Sequence, residues 1–589
     1  MALLGLLSLV QIWFLPGYLL LYRTRDIPAL DKLLLAFPLS AVVNFFLVYV
    51  LVLLNVYTQQ AVLLAFGIEV FALAFMAKTG FKELSEAQGT ARNLIGFKLD
   101  FTNVVFAIFV LVYASQFFNQ LGSVFTQGDA VSSWNFWAVS WFNGVVPHGL
   151  AWYPQLLPTL YSLTYQFIAD SRIELFAKMA VSFYPLVALG MFARMALLLP
   201  SERKKILWSA IIFFLLVRRL WGGDSTINGY ADFPLAFFCL AVMYVFALKF
   251  TEPNRSISPG SFALAAVMVG IAIGAGLMKQ SGMFLGMLIP FIWLVYFRNG
   301  RNLSAHVKQS AAMGIAIAVA CATWYLYQYW RITTGIEQSN LKMLSSIVQM
   351  TWYESIAFGF KSITYKLSWL WEVLFLAALA HRKVRYLAIG VVAPFFLLWA
   401  AFVPYDYRNL AVIFPLLALT LAYGWGELAR MAGNVLSPSI SHVIGRGLVL
   451  FGVAIFAYAL SNPKINDELL KLSNSAKNQI GDPEINSRLL AYFEFHPQPA
   501  LVATPYQEMK HIPEIGQRFS QFSCGADYGK QSSTMDEIMS ELTKPSIRYV
   551  LVQPWCDIRA LEYFAGQPDK YHALFTRNGA VFYSIISRQ

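Results

Sequence analysis

Charge is what this chain has least of. Only 13% of its 589 residues are Asp, Glu, Lys or Arg, whereas a soluble globular domain carries about a quarter. The missing charges leave apolar runs of roughly 18 residues or more, recurring to about residue 462, which excludes an ordinary soluble enzyme core. Basic residues are also missing ahead of the first run, MALLGLLSLVQIWFLPGYLLLY, and follow it as Arg23 and Arg25. A cleaved signal peptide needs positive charge before the run, so this segment reads as an uncleaved first helix with its N-terminus outside. Although the net charge is +12, no basic stripe gathers on a soluble part, which argues against nucleic acid as a partner. The seven histidines are scattered without metal-ligand spacing, so no metal is expected.

What the apolar runs define is a polytopic α-helical membrane protein of about fourteen spans. The basic residues set its orientation. Loops carrying Arg23/Arg25, Lys78/Lys82/Arg92/Lys98, Arg203/Lys204/Lys205, Lys249/Arg255, Arg298/Arg301/Lys308, Arg382/Lys383/Arg385 and Arg430/Arg446 all fall on one side, the cytoplasmic side by the positive-inside bias. The expected organisation is a membrane domain over 1–462, with a first large outer loop at 122–172 and a later one at 331–366. A small soluble α/β domain over 463–589 follows on the outer side. Its strands are expected at 500–505, 547–555 and 572–586, the last a hairpin turned at Asn578-Gly579. Cys239 and Cys321 lie within apolar runs and read as core residues. Cys524 and Cys556 share the outer domain and an oxidising compartment, so they are expected to pair.

The first outer loop carries the most informative stretch, Gly128-Asp129-Ala130 followed by WNFWAVSWF and AWYPQLLP. Trp134, Trp137 and Trp141 share one helical face, which predicts an interfacial helix within 132–147 stopped by Pro147. A second helix is expected to begin near Pro154 and Pro158. Asp129 precedes the first of these helices. Its carboxylate is either an N-terminal cap or a functional acid, since an uncompensated carboxylate beside lipid is costly.

Several cations defy the charge bias: Arg218, Arg219, Lys279, Lys361, Lys366 and Arg408 all sit at outer helix ends. They either meet lipid headgroups and pair with Asp224, Asp232, Glu372 and Asp406, or form a site for a phosphate-bearing anion.

Five segments together carry a family resemblance. They are Gly128-Asp129, Tyr153-Pro154-Gln155-Leu156-Leu157-Pro158, Asn228-Gly229-Tyr230-Ala231-Asp232-Phe233-Pro234, Gly276-Leu277-Met278-Lys279-Gln280-Ser281-Gly282 and Tyr407-Arg408-Asn409. On these the chain resembles the GT-C superfamily of integral-membrane glycosyltransferases, and within it the protein O-mannosyltransferase and aminoarabinose transferase branch. It departs from that pattern in having Ala130 where the family has a second acid, YPQLLP in place of HPPL, and three apparent extra helices before the loop. The WWDxG pentad of oligosaccharyltransferases is absent.

The resemblance implies an inverting transfer of sugar from a polyprenyl-phosphate donor to a hydroxyl of a lipid, glycan or protein acceptor. It places the chain in a bacterial inner (cell) membrane, with the site facing the periplasm or cell exterior. Asp129 would be the general base, with Asp224 or Asp232 a second acid. Lys279 and Arg408, with Arg218 or Arg219, would neutralise the departing phosphate. Trp134, Trp137, Tyr153 and Tyr407 would contact substrate. The lipid-linked sugar is a substrate here, and no separate cofactor is implied. An O-antigen ligase or polymerase using a diphosphate-linked glycan is one alternative, although 331–366 offers Arg331 without a histidine. A transporter or flippase is another, against which stand the lack of an internal repeat and the gathering of charge on one face.

Overall fold

The structure is a computed structural model. It describes residues 1–24, 27–84, 101–120, 124–125, 129–148, 152–221, 229–250, 259–296, 303–336, 351–404, 406–435, 483–496, 501–504, 518–521, 538–540, 542–552, 558–577 and 579–586. The helices begin with α1 (Ala2–Trp13), α2 (Leu15–Leu21), α3 (Ala29–Leu53), α4 (Gln59–Leu84) and α5 (Phe101–Gln120). A π-helical turn at Ala130–Asn135 runs into α6 (Phe136–Phe142), then come α7 (Leu156–Ile168), α8 (Leu175–Ser182), α9 (Tyr184–Leu198) and α10 (Arg203–Trp221). Next are α11 (Asp232–Phe250), α12 (Pro259–Met278), α13 (Met283–Tyr296) and α14 (Leu303–Thr333). The helical part closes with α15 (Trp352–Leu367), α16 (Leu370–Ala378), α17 (Arg382–Leu387), α18 (Ala393–Phe402) and α19 (Phe414–Val435).

Among the described residues, 8 helical stretches are long and apolar enough to cross a membrane, and shorter apolar helices cover Thr102–Ser115, Phe262–Met278 and Gln280–Val295. This differs from the fourteen or so read from hydropathy. One reason is that polar interruptions such as Lys279 break apolar runs into shorter helices. Another is that the last run before residue 462 lies outside the described residues.

Buried polar groups hold these helices to each other, as expected where lipid removes the hydrophobic drive between them. The Gln11 amide donates to Asn44 Oδ1 at 2.9 Å, and Asn44 Nδ2 returns a bond to the Gln11 carbonyl at 3.0 Å, joining α1 to α3. Deeper in charge terms, Asp31 on α3 is fully buried and takes a two-pronged Arg194 from α9 at 2.7 and 2.9 Å. The Tyr244 hydroxyl of α11 donates to the same carboxylate. A buried carboxylate persists only when paired and hydrogen-bonded in this way. That cluster anchors α11 twelve residues beyond Asp232, its first residue.

The first-loop helix departs from expectation in two respects. It ends at Phe142 rather than at Pro147, because Gly144 adopts φ 73°. There the Gly144 and Val145 N–H groups cap the Trp141 and Ser140 carbonyls at 2.8 and 3.1 Å, a left-handed glycine stop. Trp134, Trp137 and Trp141 are all buried instead of facing headgroups. Trp141 explains why for itself: its indole N–H finds Gln155 Oε1 at 3.1 Å, so the ring gains burial without orphaning its donor. The later outer loop is also partly helical, since α14 runs on to Thr333 and α15 begins at Trp352 behind a Thr351/Glu354 capping box.

The C-terminal part is an α/β fold. Strands β1 (Leu501–Thr504), β2 (Phe519–Gln521), β3 (Ile547–Val552), β4 (Tyr571–Arg577) and β5 (Ala580–Ile585) form one sheet in the order β2-β1-β3-β5-β4. β1 is parallel to β2 and β3, while β5 runs antiparallel to both β3 and β4. The period-2 alternation of β3 sends Val550 and Val552 to one face and Leu551 to the other. The first face is covered by α21 (Ile558–Ala565) through Ala560 and Phe564. The second is covered by α20 (Pro483–Phe495) through Ile485, Leu489 and Phe493. The expected hairpin is there, with Arg577 opposite Ala580. The expected Cys524–Cys556 pairing lies outside the described residues, whereas Cys239 and Cys321 are buried free thiols. By compactness, Ser123–Phe136 groups with the C-terminal fold and Trp137–Ser339 with the helical one.

Candidate active site

The helical unit brings four charges from three separated segments together. Asp232 opens α11, where an acid is favoured by the helix dipole. Lys279 sits between α12 and the short turn Gln280–Gly282, in extended conformation (φ −156°, ψ 151°). The turn is tight: a Cβ on Gly282 would lie 1.9 Å from the Ala275 carbonyl oxygen, so only glycine fits. This reversal turns Lys279 inward, and its Nζ donates to Asp232 Oδ1 at 2.7 Å with both side chains almost wholly buried.

Asp406 and Arg408 come from the segment before α19. Asp406 caps the 3-10 turn Tyr407–Ile413, accepting from Arg408 N–H at 2.9 Å and from Arg408 Nε at 3.0 Å. The Asp406 carbonyl takes the Trp399 indole N–H at 3.0 Å. Arg408 lies over the Tyr230 ring at 5.6 Å, and Tyr230 is two residues from Asp232. Asp406 and the phenol of Tyr153 both act on the Lys279 charge, so a circuit of alternating sign runs Asp232, Lys279, Asp406, Arg408.

Burial pulls the Lys279 ammonium towards neutrality, but Asp232 above all, with Tyr153 and Asp406, more than offsets it and holds the pKa above the usual lysine value. Burial likewise resists ionisation of Asp406, yet the Lys279 and Arg408 charges outweigh it and hold that carboxyl below the usual range. Because the folded pKa of Asp406 is depressed, its contribution to stability is complete above the unfolded value and is lost as pH falls through the folded one. For Lys279 the pKa is raised, so its share is complete below the unfolded value and is lost as pH rises through the folded one. Thermal unfolding of the purified protein should therefore be flat from about pH 5 to 9 with respect to this circuit. Asp406→Asn should shrink the acid limb, and an unchanged acid limb would remove Asp406 from the account.

Tyr153 is set in place by the YPQLLP segment. The fully buried Gln155 amide donates to the Tyr153 and Pro154 carbonyls at 3.4 and 3.2 Å, and Trp137 packs on the Tyr153 ring at 5.8 Å. One helical turn on, the Tyr161 hydroxyl donates to the Gly229 carbonyl at 3.2 Å, tying this segment to the one that presents Tyr230 and Asp232.

Of the residues singled out from sequence, Lys279 and Asp232 thus meet, and Arg408 joins them through Asp406. Tyr407 accepts the Trp221 indole N–H on its carbonyl at 3.4 Å and packs its ring near Trp399. Arg219, at the end of α10, donates instead to the Lys366 carbonyl at 2.8 Å, and Arg218 shares that last turn of α10. Asp224 lies outside the described residues. Asp129 and Trp134 belong to the other compact unit. Asp129 holds the N-cap position of the π-helical turn Ala130–Asn135, without a side-chain capping bond to it. Asp406 and Tyr230 gained importance only in three dimensions. Asp406 was visible as a partner for outer cations and Tyr230 as a motif letter, with no signal that either touched Arg408.

Fold and site together define a polytopic helical membrane protein with a buried ion-pair circuit at helix ends and an appended α/β fold. No protein-family model matches the chain, and no curated protein matches it. Among solved structures it is similar to ArnT from Cupriavidus metallidurans bound to undecaprenyl phosphate, with 13% identity and a TM-score of 0.48 over 82% of this chain and 97% of that one. It is also similar to the archaeal oligosaccharyltransferase AglB from Archaeoglobus fulgidus, in complex with an inhibitory peptide and a dolichol-phosphate. There the identity is 13% and the TM-score 0.43, over 82% of this chain and 74% of that one.

Proposed function

We propose that the chain transfers a sugar from a polyprenyl-phosphate donor to an acceptor hydroxyl at the outer face of a bacterial cell membrane. The observation that carries this is the Lys279–Asp232 pair beside Arg408. Lys279 spends one of its three N–H bonds on Asp232 and keeps the others for a phosphate oxygen. Arg408, held by Asp406 through Nε, is proposed as the second cation facing the phosphate. The two carboxylates fix the cations in place, so charge developing on a departing phosphate meets donors that need no reorganisation. Tyr153 is a proposed substrate contact. Asp129 is the proposed base for the acceptor hydroxyl, and Trp134 and Trp137 are proposed substrate contacts.

The experiment is transfer of label from a panel of polyprenyl-phosphate sugars in membranes holding the wild-type chain or Asp129→Asn. Transfer by the wild type, lost in the variant at equal protein level, supports the reaction and the base together. Wild-type membranes that transfer from none of these donors, yet act on a diphosphate-linked glycan, would replace the proposal with the ligase alternative.

A further inference from the structure

One face of α15 is left without a protein partner. The buried stripe of this helix is Ser355, Gly359 and Ile363, at i, i+4 and i+8. Tyr353, Lys361 and Tyr365 each stand two residues off that stripe, about 200° round the helix, and all three are exposed. Tyr365 is 85% exposed, and Trp369, just past the helix end, is 66% exposed. Tyrosine and tryptophan in such positions favour the headgroup level of a bilayer, where one end of the ring is apolar and the other wet.

The packing of α15 fixes its level. A Cβ on Gly359 would lie 2.9 Å from Ala400 Cβ, and Ala400 is two residues from the end of α18. Seven residues on, about 10 Å along the axis, the Lys366 carbonyl accepts the Arg219 Nε–H at 2.8 Å. Arg219 is two residues from the end of α10. Both helix ends reach the ion-pair circuit: the Trp221 N–H donates to the Tyr407 carbonyl and the Trp399 N–H to the Asp406 carbonyl. A helix that meets two helix ends of one level at points seven residues apart runs along that level instead of crossing the bilayer. The chain then turns at Ser368, with φ 63°. Thr364 secures the turn, donating to Glu372 and accepting the Trp371 indole N–H at 3.4 Å.

Cations gather at this corner without counter-charge. Arg218 and Arg219 close α10, and Lys361 and Lys366 lie in the last two turns of α15. Of the acids on α15 and α16, Glu372 is held by Thr364, and Glu354 belongs to the capping box at the far end of α15. Among the described residues no ion pair joins Arg219, Lys361 or Lys366 to a carboxylate. The circuit is different, since Lys279 and Arg408 have one acid each.

We propose that the corner between α10 and α15 binds the phosphate of an acidic bilayer phospholipid. Lys361, Lys366 and Arg219 supply the cations, and Tyr365 and Trp369 sit among the headgroups. Charge complementarity selects the lipid: a zwitterionic headgroup brings its own cation, whereas an acidic one meets an uncompensated set. The inference needs the membrane class of the chain and not the reaction proposed above.

The test is native mass spectrometry of the full chain in detergent, titrated with phosphatidylglycerol or with phosphatidylcholine of the same acyl chains. Wild type should bind phosphatidylglycerol at least about tenfold more tightly. Lys361→Gln/Lys366→Gln should lose most of that preference, and Lys361→Arg/Lys366→Arg should keep it. Lys361→Gln alone should lose about fivefold, and because its ammonium is unpaired its Tm should match wild type, which keeps the result separate from any loss of fold in the double variant. A wild type that binds the two lipids equally, or a Gln double or single variant that keeps the full preference, overturns the proposal. Displacement of phosphatidylglycerol by excess inorganic phosphate would make the corner a free-phosphate site and overturn the lipid assignment. Undecaprenyl phosphate that displaces phosphatidylglycerol at equal concentration, and itself binds weakly to the Gln double variant, would give the corner to the lipid-linked donor and overturn it as well.

Discussion

Lys279→Met is expected to destabilise the chain by about 3–5 kcal/mol and to abolish transfer. The loss of stability comes from Asp232, which would remain almost wholly buried beside an apolar side chain with its partner gone. Breaking one half of a buried pair costs more than the pair is worth, because the surviving charge has neither water nor counter-ion. Lys279→Met/Asp232→Leu should therefore recover much of the stability while remaining inactive. That separates the two roles: folding needs charge balance, whereas phosphate neutralisation needs the cation itself. Thermal unfolding of the singles and the double in detergent, with label transfer alongside, reads both quantities. A double variant as unstable as Lys279→Met would show that shape, not charge, governs the site. Transfer surviving in Lys279→Met would end the proposed phosphate role.

Asp129→Asn is expected to lower kcat by about 10²–10⁴, the usual worth of a positioned general base, while the donor KM stays within a few-fold. Thermal unfolding of the same variant, measured alongside, separates a loss of chemistry from a loss of fold. A capping aspartate would lose about 0.5–2 kcal/mol on losing its charge. The combination of full stability and collapsed turnover thus discriminates a base from a cap. Turnover at the wild-type level would sink the base assignment, and a lowered Tm with proportionate activity loss would make Asp129 a structural residue.

Much of this protein was legible in its sequence because the signals were local. Apolar runs without charge mark helices, alternating residues such as those of β3 mark strands, and Asn578-Gly579 marks a hairpin. Lys279 and Arg408 stood out because a cation at an apolar helix end is expensive and uncommon. The helix stop at Gly144 was missed in favour of Pro147 because a left-handed glycine acts through hydrogen bonds that no composition rule displays. The tryptophans were expected at the headgroup level, but burial depends on what stands opposite. Trp141 found Gln155, fourteen residues on.

Pairing was beyond sequence for the same reason. Asp31 meets Arg194 from 163 residues away, Lys279 meets Asp232 from 47, and Arg408 reaches the Tyr230 ring from another segment again. Each of these residues has several chemically acceptable partners in the chain, so residue type alone cannot choose among them. By itself the sequence determined the membrane class, the helical and α/β division and the identity of the outlying charges, because these follow from periodicity and from the cost of placing charge in lipid. Only the tertiary structure decided which charges neutralise one another and which, such as Lys361, have no carboxylate partner among the described residues. Electrostatic and hydrogen-bond energies depend on distances of a few ångströms, and such distances exist only once helices remote in sequence have packed.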